Sequence, residues 1–393
     1  MSGYVALILA AGLSSRMHLG YKPLLPIPYF DGQRNSLESL AQLYGQAGIH
    51  RVLVVGGNCE KTALAAEAKR LGLDYAYNPY AERGMFSSVQ VGLAALGSFG
   101  AACFIHPADI PLVRPFVVQA LLAEAQIHAN DILIPFFKQK EGHPPLLPAV
   151  HLPTILAWTG EHGLRGAIQG LPMRPVPVAD RGVLMDMDTD DDYTEVCQRA
   201  LRRHILEPEE ADELLCLFND KLGGNAGGLA HARAVGRVAG RFALACNVAG
   251  QLQSQYNPLD PLLAEAGGLL HDMCKGEAGH ERAAGKKLRE IGLPDMARLV
   301  EAHGDCFLAD NARLTEAELI CMADKYVYGQ QPVTLQDRFG QKLELFQADA
   351  QACEAILLRL GRAKALEERL GREMGQCPFE LAREELLNLQ SAQ

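Results

Sequence analysis

Two sets of residues in this chain have types and spacings suited to phosphorus chemistry. The first opens with Leu9-Ala10-Ala11-Gly12-Leu13-Ser14-Ser15-Arg16-Met17. A small Gly- and Ser-rich turn after an apolar run lets backbone N–H groups approach a triphosphate. Arg16 can pair with phosphate oxygens through its planar fork. Lys22, followed by Pro23-Leu24-Leu25-Pro26, adds a second cation, and together they suit the charge that builds up during phosphoryl transfer. Asn78-Pro79 and Gly84-Met85 precede Ser87-Ser88, which puts polar groups and a helix start at another strand end. His106-Pro107-Ala108-Asp109-Ile110-Pro111 sets a carboxylate directly after an apolar run, and Met185-Asp186-Met187-Asp188-Thr189 adds two more. An acid at a strand end is a natural Mg²⁺ ligand, because Mg²⁺ takes one or two carboxylates plus substrate phosphates.

The second set is His231, the adjacent pair His271-Asp272, and Asp324. These can converge when helices pack around one centre, with His271-Asp272 read as lying in a helix. Imidazole nitrogen with carboxylate oxygen suits Mn²⁺, Fe or Zn²⁺ better than Ca²⁺. A metal held there lowers the pKa of water for phosphoester attack. Those four residues are the minimum site; His280 and His303 extend it to two metals. Lys275, three residues after Asp272, is placed to face a phosphate. Taken singly, each has a plainer role open to it, such as a helix start for His280 or a C-terminal cap for His303-Gly304.

The elements that must position these residues differ between the two halves. Strands are expected at Tyr4–Ala10, His50–Val55, Asp74–Tyr77, Ala101–His106 and Asp131–Pro135. Helices are expected at Ser36–Ala47, Lys61–Leu71, Ser87–Leu96 and Arg114–Ala125. This alternation implies an α/β domain over residues 1–200, with a mostly parallel sheet, helices on both faces and ligands at the carboxyl strand ends. From about Asp190 only helical spacing remains: Asp190–Arg203, Pro208–Phe218, Leu229–Asn247, Pro258–His271, Gly279–Ile291, Pro294–His303 and Thr315–Tyr326, with Leu335–Gln393 as charged amphipathic helix. An all-α domain is therefore expected over 205–393, with Asn219–Gly228 as a loop inside it.

Composition narrows the partners. The 393 residues are 48% hydrophobic and 21% charged, which is globular rather than disordered. A net charge of −10 argues against a general nucleic-acid binder. Ten cysteines without a C-x-x-C pair suggest free thiols in a reducing cytosol rather than a disulfide framework. The run Val5 to Ala11 is far short of the roughly 20 residues a membrane helix needs, and it has no basic leader. A cytoplasmic protein without a membrane partner is expected.

Leu-Ala-Ala-Gly-x-Ser-x-Arg-Met with a following Lys-Pro-Leu-Leu resembles the signature of the nucleotidyltransferases that include the molybdenum-cofactor cytidylyl- and guanylyltransferases. Asn78, Gly84-Met85 and Ser88, then Pro107 to Pro111, Gly142-His143-Pro144 and Asp186 to Thr189, are similar to later motifs of the cytidylyltransferase branch, in order. The resemblance spans about residues 3–195 and implies a Rossmann-like fold that uses Mg²⁺ and a nucleoside triphosphate and releases pyrophosphate. By position it implies nucleotide contacts at Ala10, Ala11, Gly12, Ser14 and Ser15, with Ala11, Gly12 and Arg16 around the phosphates and Lys22 on the triphosphate. It implies Mg²⁺ at Asp109 with Asp188 as second ligand, and base or ribose near Gly57 and Ser88. One departure is that His18 follows Met17 and Lys22 lies six residues past Arg16, where the family pattern has about five. The Ala-Ala-Gly start implies CTP as donor by analogy. The acceptor implied is a small phosphorylated molecule, molybdopterin first and a sugar phosphate second, with a molybdoenzyme as a partner that receives the product. His231, His271-Asp272 with Lys275, and Asp324-Lys325 resemble the HD phosphohydrolase superfamily over about 210–330, His280 and His303 being like the extra ligands of some members. That implies phosphoester hydrolysis in the second domain, or nucleotide sensing without turnover.

Overall fold

A computed structural model describes residues 3–391 apart from 13, 15, 60, 99, 222–225, 251–256, 305, 307, 310 and 311. The chain divides into two units, Met1–Arg203 and His204–Gln393.

In the first unit the strands are β1 (Tyr4–Ala10), β2 (Pro26–Tyr29), β3 (Gly32–Asn35), β4 (Val52–Gly56), β5 (Asp74–Tyr77), β6 (Ala102–Pro107), β7 (Ile132–Phe137), β8 (Lys140–Glu141), β9 (Leu146–Pro148) and β10 (Met173–Pro177). The helices are α1 (Ser36–Gln46), α2 (Lys61–Arg70), α3 (Met85–Leu96), α4 (Pro115–Ile127), α5 (Leu152–Ala157), α6 (Gly163–Ile168) and α7 (Asp190–Leu201). The main sheet runs β10-β7-β9-β6-β1-β4-β5, with β8 on β7. β1, β4, β5 and β6 are mutually parallel, as β7 and β10 are, but β9 lies antiparallel between β6 and β7. The sheet is therefore mixed. The strands β2, β3, β8, β9 and β10 carry no sequence expectation. They are short or Pro-bearing, and neither period-2 alternation nor a long apolar run marks them.

β1 is buried on both faces, which explains its unbroken apolar run. Ala6, Ile8 and Ala10 pack under α1, α2 and α4, while Val5, Leu7 and Leu9 pack under α3, α5 and α6. Register then aligns the carboxyl ends: Ala10 lies opposite Gly56, and Leu9 opposite Pro107. The loops after β1, β4 and β6 consequently open on one edge of the sheet.

The second unit holds α8 (Pro208–Lys221), α9 (Ala226–Gly250), α10 (Pro261–Leu270), α11 (His280–Glu290), α12 (Pro294–Ala302), α13 (Glu316–Tyr326), a two-residue hairpin of β11 (Val327–Tyr328) and β12 (Gln331–Pro332), α14 (Leu335–Leu345), α15 (Ala350–Met374) and α16 (Pro378–Ser391). The expected loop Asn219–Gly228 is mostly helix at its ends, and residues 222–225 are outside the described set. The tail expected as continuous helix from Leu335 is three helices, broken at Asp349, which caps α15, and at Gly375 in the left-handed region. Asp272 is not helical: α10 ends at Leu270 and His271 caps it, so the pair straddles a helix end. Cys306 and Cys321 form a disulfide, a departure from the expectation of free thiols. The pair joins α13 to the loop after α12, a pairing that no short motif announces. Among the described residues no helix is long and apolar enough to cross a membrane.

Candidate active sites

The first site forms where the strand ends converge. Ala108 N–H donates to the Leu9 carbonyl at 2.9 Å, and Met187 N–H donates to the Asp109 carbonyl at 3.0 Å. These two bonds tie the turn after β6 to β1 and bring Asp188, 79 positions later in the chain, beside Asp109. Lys22 Nζ lies 2.7 Å from Asp188 Oδ1 and 3.5 Å from Asp109 Oδ2, so one ammonium bridges both carboxylates. The longer loop at His18 therefore does not keep Lys22 away from the acids. His18 itself turns outward to Asp190. Arg16 Nη2 also meets Asp188, at 2.7 Å. Ser14 sits at φ +49° and accepts from Lys22 N–H at 3.2 Å, a left-handed residue that reverses the turn onto the lysine.

Ala10, Ala11, Gly12, Ser14, Lys22, Ser88 and Asp109 line one cavity of about 230 Å³. Ser15 lies outside the described residues. Ser88 is buried and its hydroxyl accepts from Asn78 Nδ2 at 2.9 Å; the same amide donates to Ser87. Gly57 is not on the cavity lining. A Cβ there would come within 2.8 Å of the Ala11 carbonyl oxygen, so the glycine lets the loop after β4 close under the phosphate-type turn. Arg16 is likewise off the lining, held at the rim by Asp188.

Burial pushes the Asp109 carboxyl up despite Lys22, whereas the Lys22 hydrogen bond holds Asp188 down. Hard carboxylate oxygens converging on one point are the donors that Mg²⁺ accepts, so the residues fit that ion.

The second site is built by close helix packing. A Cβ on Gly268 would come within 2.6 Å of Gly236 Cα, so α9 and α10 approach backbone to backbone. That contact brings His231 of α9 to His271 at the end of α10, ring centroids 5.4 Å apart. His271 and His303 also stack edge to face at 5.1 Å, and His280 lies 6.1 Å from His303. His271 and His303 each cap a helix C-terminus, where carbonyls lack intrahelical partners. Each Nδ1 donates to the carbonyl three residues back, Gly268 at 2.7 Å and Val300 at 2.5 Å. A carbonyl can only accept, so in each neutral ring the proton sits on Nδ1 and the Nε2 lone pair is left for the site.

The ligand-type atoms fall into two groups: His231, His271 and Asp324, and Asp272, His280 and His303, each within 4.8 Å internally. Asp272 links them, with Oδ1 3.2 Å from His280 and Oδ2 3.4 Å from His271. Asp324 Oδ1 lies 3.4 Å from His231 and 3.7 Å from His271. Among the described residues, both nitrogens of His231 and Nε2 of His271 are buried without a hydrogen-bond partner. Orphaned imidazole nitrogens facing carboxylates are costly alone and natural around a cation, so the residues fit a transition metal. Burial opposes ionisation of Asp324, but Lys325 and the nearby imidazoles hold it well below the usual carboxylate range. Asp272 is lowered too, against its burial, by His271 and Lys275. Burial, then the His271 charge, depresses His303 to about 4, which keeps it neutral.

Lys275 is 2.5 Å from Asp272 Oδ2, and Lys325 is 2.7 Å from Asp324 Oδ2. The cavity beside them, about 280 Å³, also receives Arg338 and Lys342 of α14 and Arg359 of α15. Sequence reading missed these three. Their only sequence signal is the four-residue spacing of Arg338 and Lys342 on one helix face.

Residues 6–176 match the family model of the MobA-like NTP transferase domain, and residues 228–329 that of the HD domain. Over 199 residues the chain is 23% identical to the molybdenum cofactor cytidylyltransferase of Escherichia coli (strain K12), an alignment that covers 51% of this chain and 98% of that protein. Among solved structures, Rv0371c from Mycobacterium tuberculosis H37Rv is similar at 25% identity and TM-score 0.43, over 50% of this chain and 98% of its own. The 4-diphosphocytidyl-2C-methyl-D-erythritolsynthase of Anaerococcus prevotii DSM 20548 is similar at 14% identity and TM-score 0.40, over 50% of this chain and 96% of its own. The chain thus carries a MobA-like NTP transferase domain followed by an HD domain, the one from a family of nucleotidyltransferases and the other from a family of metal-dependent phosphohydrolases.

Proposed function

We propose that residues 1–200 transfer a nucleotidyl group, from CTP, to a phosphorylated acceptor, molybdopterin, with release of pyrophosphate. Residues 205–393 hydrolyse a phosphate ester. The observation that carries the first half is the convergence of Ala10, Ala11, Gly12, Ser14, Lys22, Ser88 and Asp109 on one cavity at the carboxyl strand ends. The choice of CTP and molybdopterin rests on the Escherichia coli relative, which bears that activity in its name, and on the Ala10-Ala11-Gly12 turn.

In this reading the backbone of Ala11 and Gly12 receives the phosphates, with Ser14 shaping the turn. Ser88, oriented by Asn78, meets the sugar. Gly57 acts from beneath, by admitting Ala11 to its position. Lys22 leaves the carboxylates for the triphosphate as substrate enters, and Arg16 follows from the rim. Asp109 and Asp188 would hold Mg²⁺, which would supply charge neutralisation at the transferring phosphate. In the second domain His231, His271, Asp272 and Asp324, extended by His280 and His303, hold Mn²⁺, Fe or Zn²⁺. That metal supplies an acidified water at neutral pH. Lys275 orients the phosphate. The domain works in the cytoplasm on small molecules, and a molybdoenzyme receives the transferase product.

The test is transfer with purified molybdopterin and each labelled nucleoside triphosphate in turn, followed by pyrophosphate release. CTP should lead, and Asp109→Ala should abolish release while phosphoester hydrolysis persists. Full transfer by Asp109→Ala would overturn the ligand assignment.

A further inference from the structure

The cations around the second cavity are not equivalent. Lys275 is paired with Asp272, Lys325 with Asp324, and Arg338 with Asp324 at 3.3 Å and the Val327 carbonyl at 2.7 Å. Among the described residues Lys342 and Arg359 have no carboxylate partner; Lys342 only overlies the Phe339 ring, at 5.9 Å. Both line the same cavity as Asp272, His280, His303 and Asp324. Their placement is built in: Lys342 is one turn beyond Arg338 on α14, whose buried Leu335 and Phe339 anchor the helix. Arg359 is one turn beyond buried Ile356 and one before buried Ala363 on α15, and is itself exposed. With Lys342 and Arg359 the cavity lining carries five cations against the three carboxylates of Asp272, Glu281 and Asp324, an excess of positive charge. Burial, with Arg338 and Lys325, pushes the Lys342 ammonium below the ordinary lysine range, a cost that an anion would relieve.

We propose that Lys342 and Arg359 form a second anion subsite beside the metal-ligand cluster, and that the C-terminal site therefore takes a phosphoanhydride, a substrate with two adjacent phosphoryl groups. Both residues lie beyond 228–329, the span matched by the HD family model, so the subsite belongs to the helical extension of this chain. The inference rests on the phosphohydrolase reading above. One phosphoryl group occupies the ligand cluster and the other meets Lys342 and Arg359. Water oxygen forms the new bond to the first phosphorus, and the bond from that phosphorus to the bridging oxygen breaks. The bridging oxygen leaves on the second phosphate, and the two protons of water end one on each product phosphate. Inorganic pyrophosphate and a nucleoside diphosphate share this chemistry. The first is also what the proposed transfer reaction releases, and its hydrolysis would draw that transfer forward.

The test uses the full chain carrying Asp109→Ala, so that the N-terminal cavity turns over nothing. Phosphate release is measured from pyrophosphate, CDP and the monoester CMP, with and without Lys342→Gln and Arg359→Gln; both positions are exposed, so the fold tolerates them. Pyrophosphate binding to the metal-free chain is measured by calorimetry in parallel. A subsite predicts an anhydride preference whose kcat/KM ratio over CMP falls about tenfold or more in each variant, the loss of one charge-assisted contact. Lys342→Arg should retain most of the preference. A pyrophosphate lead over CDP identifies the free ion as substrate; the reverse order identifies the nucleotide. If no substrate is hydrolysed yet pyrophosphate binding weakens in both variants, the subsite stands and the phosphohydrolase reading falls. An unchanged ratio together with unchanged binding overturns the subsite.

Discussion

The two ligand groups of the HD domain make a stoichiometric prediction. The first group has three donors (His231, His271, Asp324), and so does the second (Asp272, His280, His303). The full chain, stripped with chelator and reloaded with Mn²⁺, Fe²⁺ or Zn²⁺, should hold two ions in this domain. Removing His280 and His303 together leaves the second group with one donor, Asp272, too few to retain an ion through desalting. That variant should fall to one ion per chain, with the first group intact. Asp272→Ala should do more, because its two oxygens face both groups, at 3.2 Å from His280 and 3.4 Å from His271. It should lose one ion outright and weaken the other by about the 10–100-fold that loss of a supporting partner costs. Elemental analysis per chain is the assay, in an Asp109→Ala background to silence the N-terminal carboxylates. One ion in the unmodified HD site, unchanged when His280 and His303 are both replaced, would refute the binuclear reasoning. Retention of both ions by Asp272→Ala would refute the bridge.

Three further outcomes are expected. Lys22→Met should lower the rate of nucleotidyl transfer by about 10²–10³, the usual effect of removing one oriented charge from a transition state; pre-steady-state pyrophosphate release measures it, and a loss under tenfold would count against the bridging lysine. Arg114 and Asp180 form a buried ion pair at 2.9 Å, so Arg114→Met removes the guanidinium from a carboxylate that keeps the backbone N–H groups of residues 114 and 182 and the Arg203 charge, and should destabilise the N-terminal unit by about 1.5–3 kcal/mol, read by chemical denaturation with a probe in that unit. His106 is buried between the Tyr44 hydroxyl and the Ile110 carbonyl, and burial lowers it to about 3. Below pH 6.5 the unfolded chain takes a proton that the folded one refuses, so stability should fall with pH, by about 2 kcal/mol at pH 5. His143 and His303, also lowered by burial, add to the slope, so it should shrink by about that amount in His106→Gln, and an unaltered slope there would exclude His106 as a contributor.

What was legible in the sequence followed from how locally each feature is encoded. β1 and its turn are read from one continuous run because both faces of the strand are buried and the loop follows at once. The antiparallel β9 is not legible, since Leu146–Pro148 is three residues long and owes its place to pairing with β6 and β7. Asp188 could be named from its motif but not located, because its proximity to Asp109 depends on one backbone bond from Met187. The His271-Asp272 pair was visible as a pair, yet its separation by a helix end was not; Leu270 to Cys274 has no Gly or Pro to mark the stop. Gly57 is named through the family resemblance, as a position near base or ribose, and the structure gives it a different reason, its close approach to Ala11. Arg338, Lys342 and Arg359 look like the charged face of any surface helix until α14 and α15 fold back over the cavity.

The two sites treat their carboxylates in opposite ways, and the difference bears on how each is filled. In the first, Lys22 already compensates Asp109 and Asp188, with Arg16 on the second acid, so the acids are satisfied without a metal. A divalent ion must displace the ammonium, and it gains enough only when a triphosphate accepts Lys22 and adds oxygens of its own. Ion and nucleotide should therefore enter together. In the second, Lys325 and Arg338 reach Asp324 and Lys275 reaches Asp272, yet the buried nitrogens of His231 and His271 remain without partners. Lys275, Lys325 and Arg338 are held on carboxylates rather than on these rings. A bound cation would meet the His231 and His271 nitrogens together, whereas each proton meets one of them. The residues of the HD site thus fit a metal held by the protein's own ligands, whereas in the transferase site an ion would share its carboxylates with Lys22 until a triphosphate drew the lysine away.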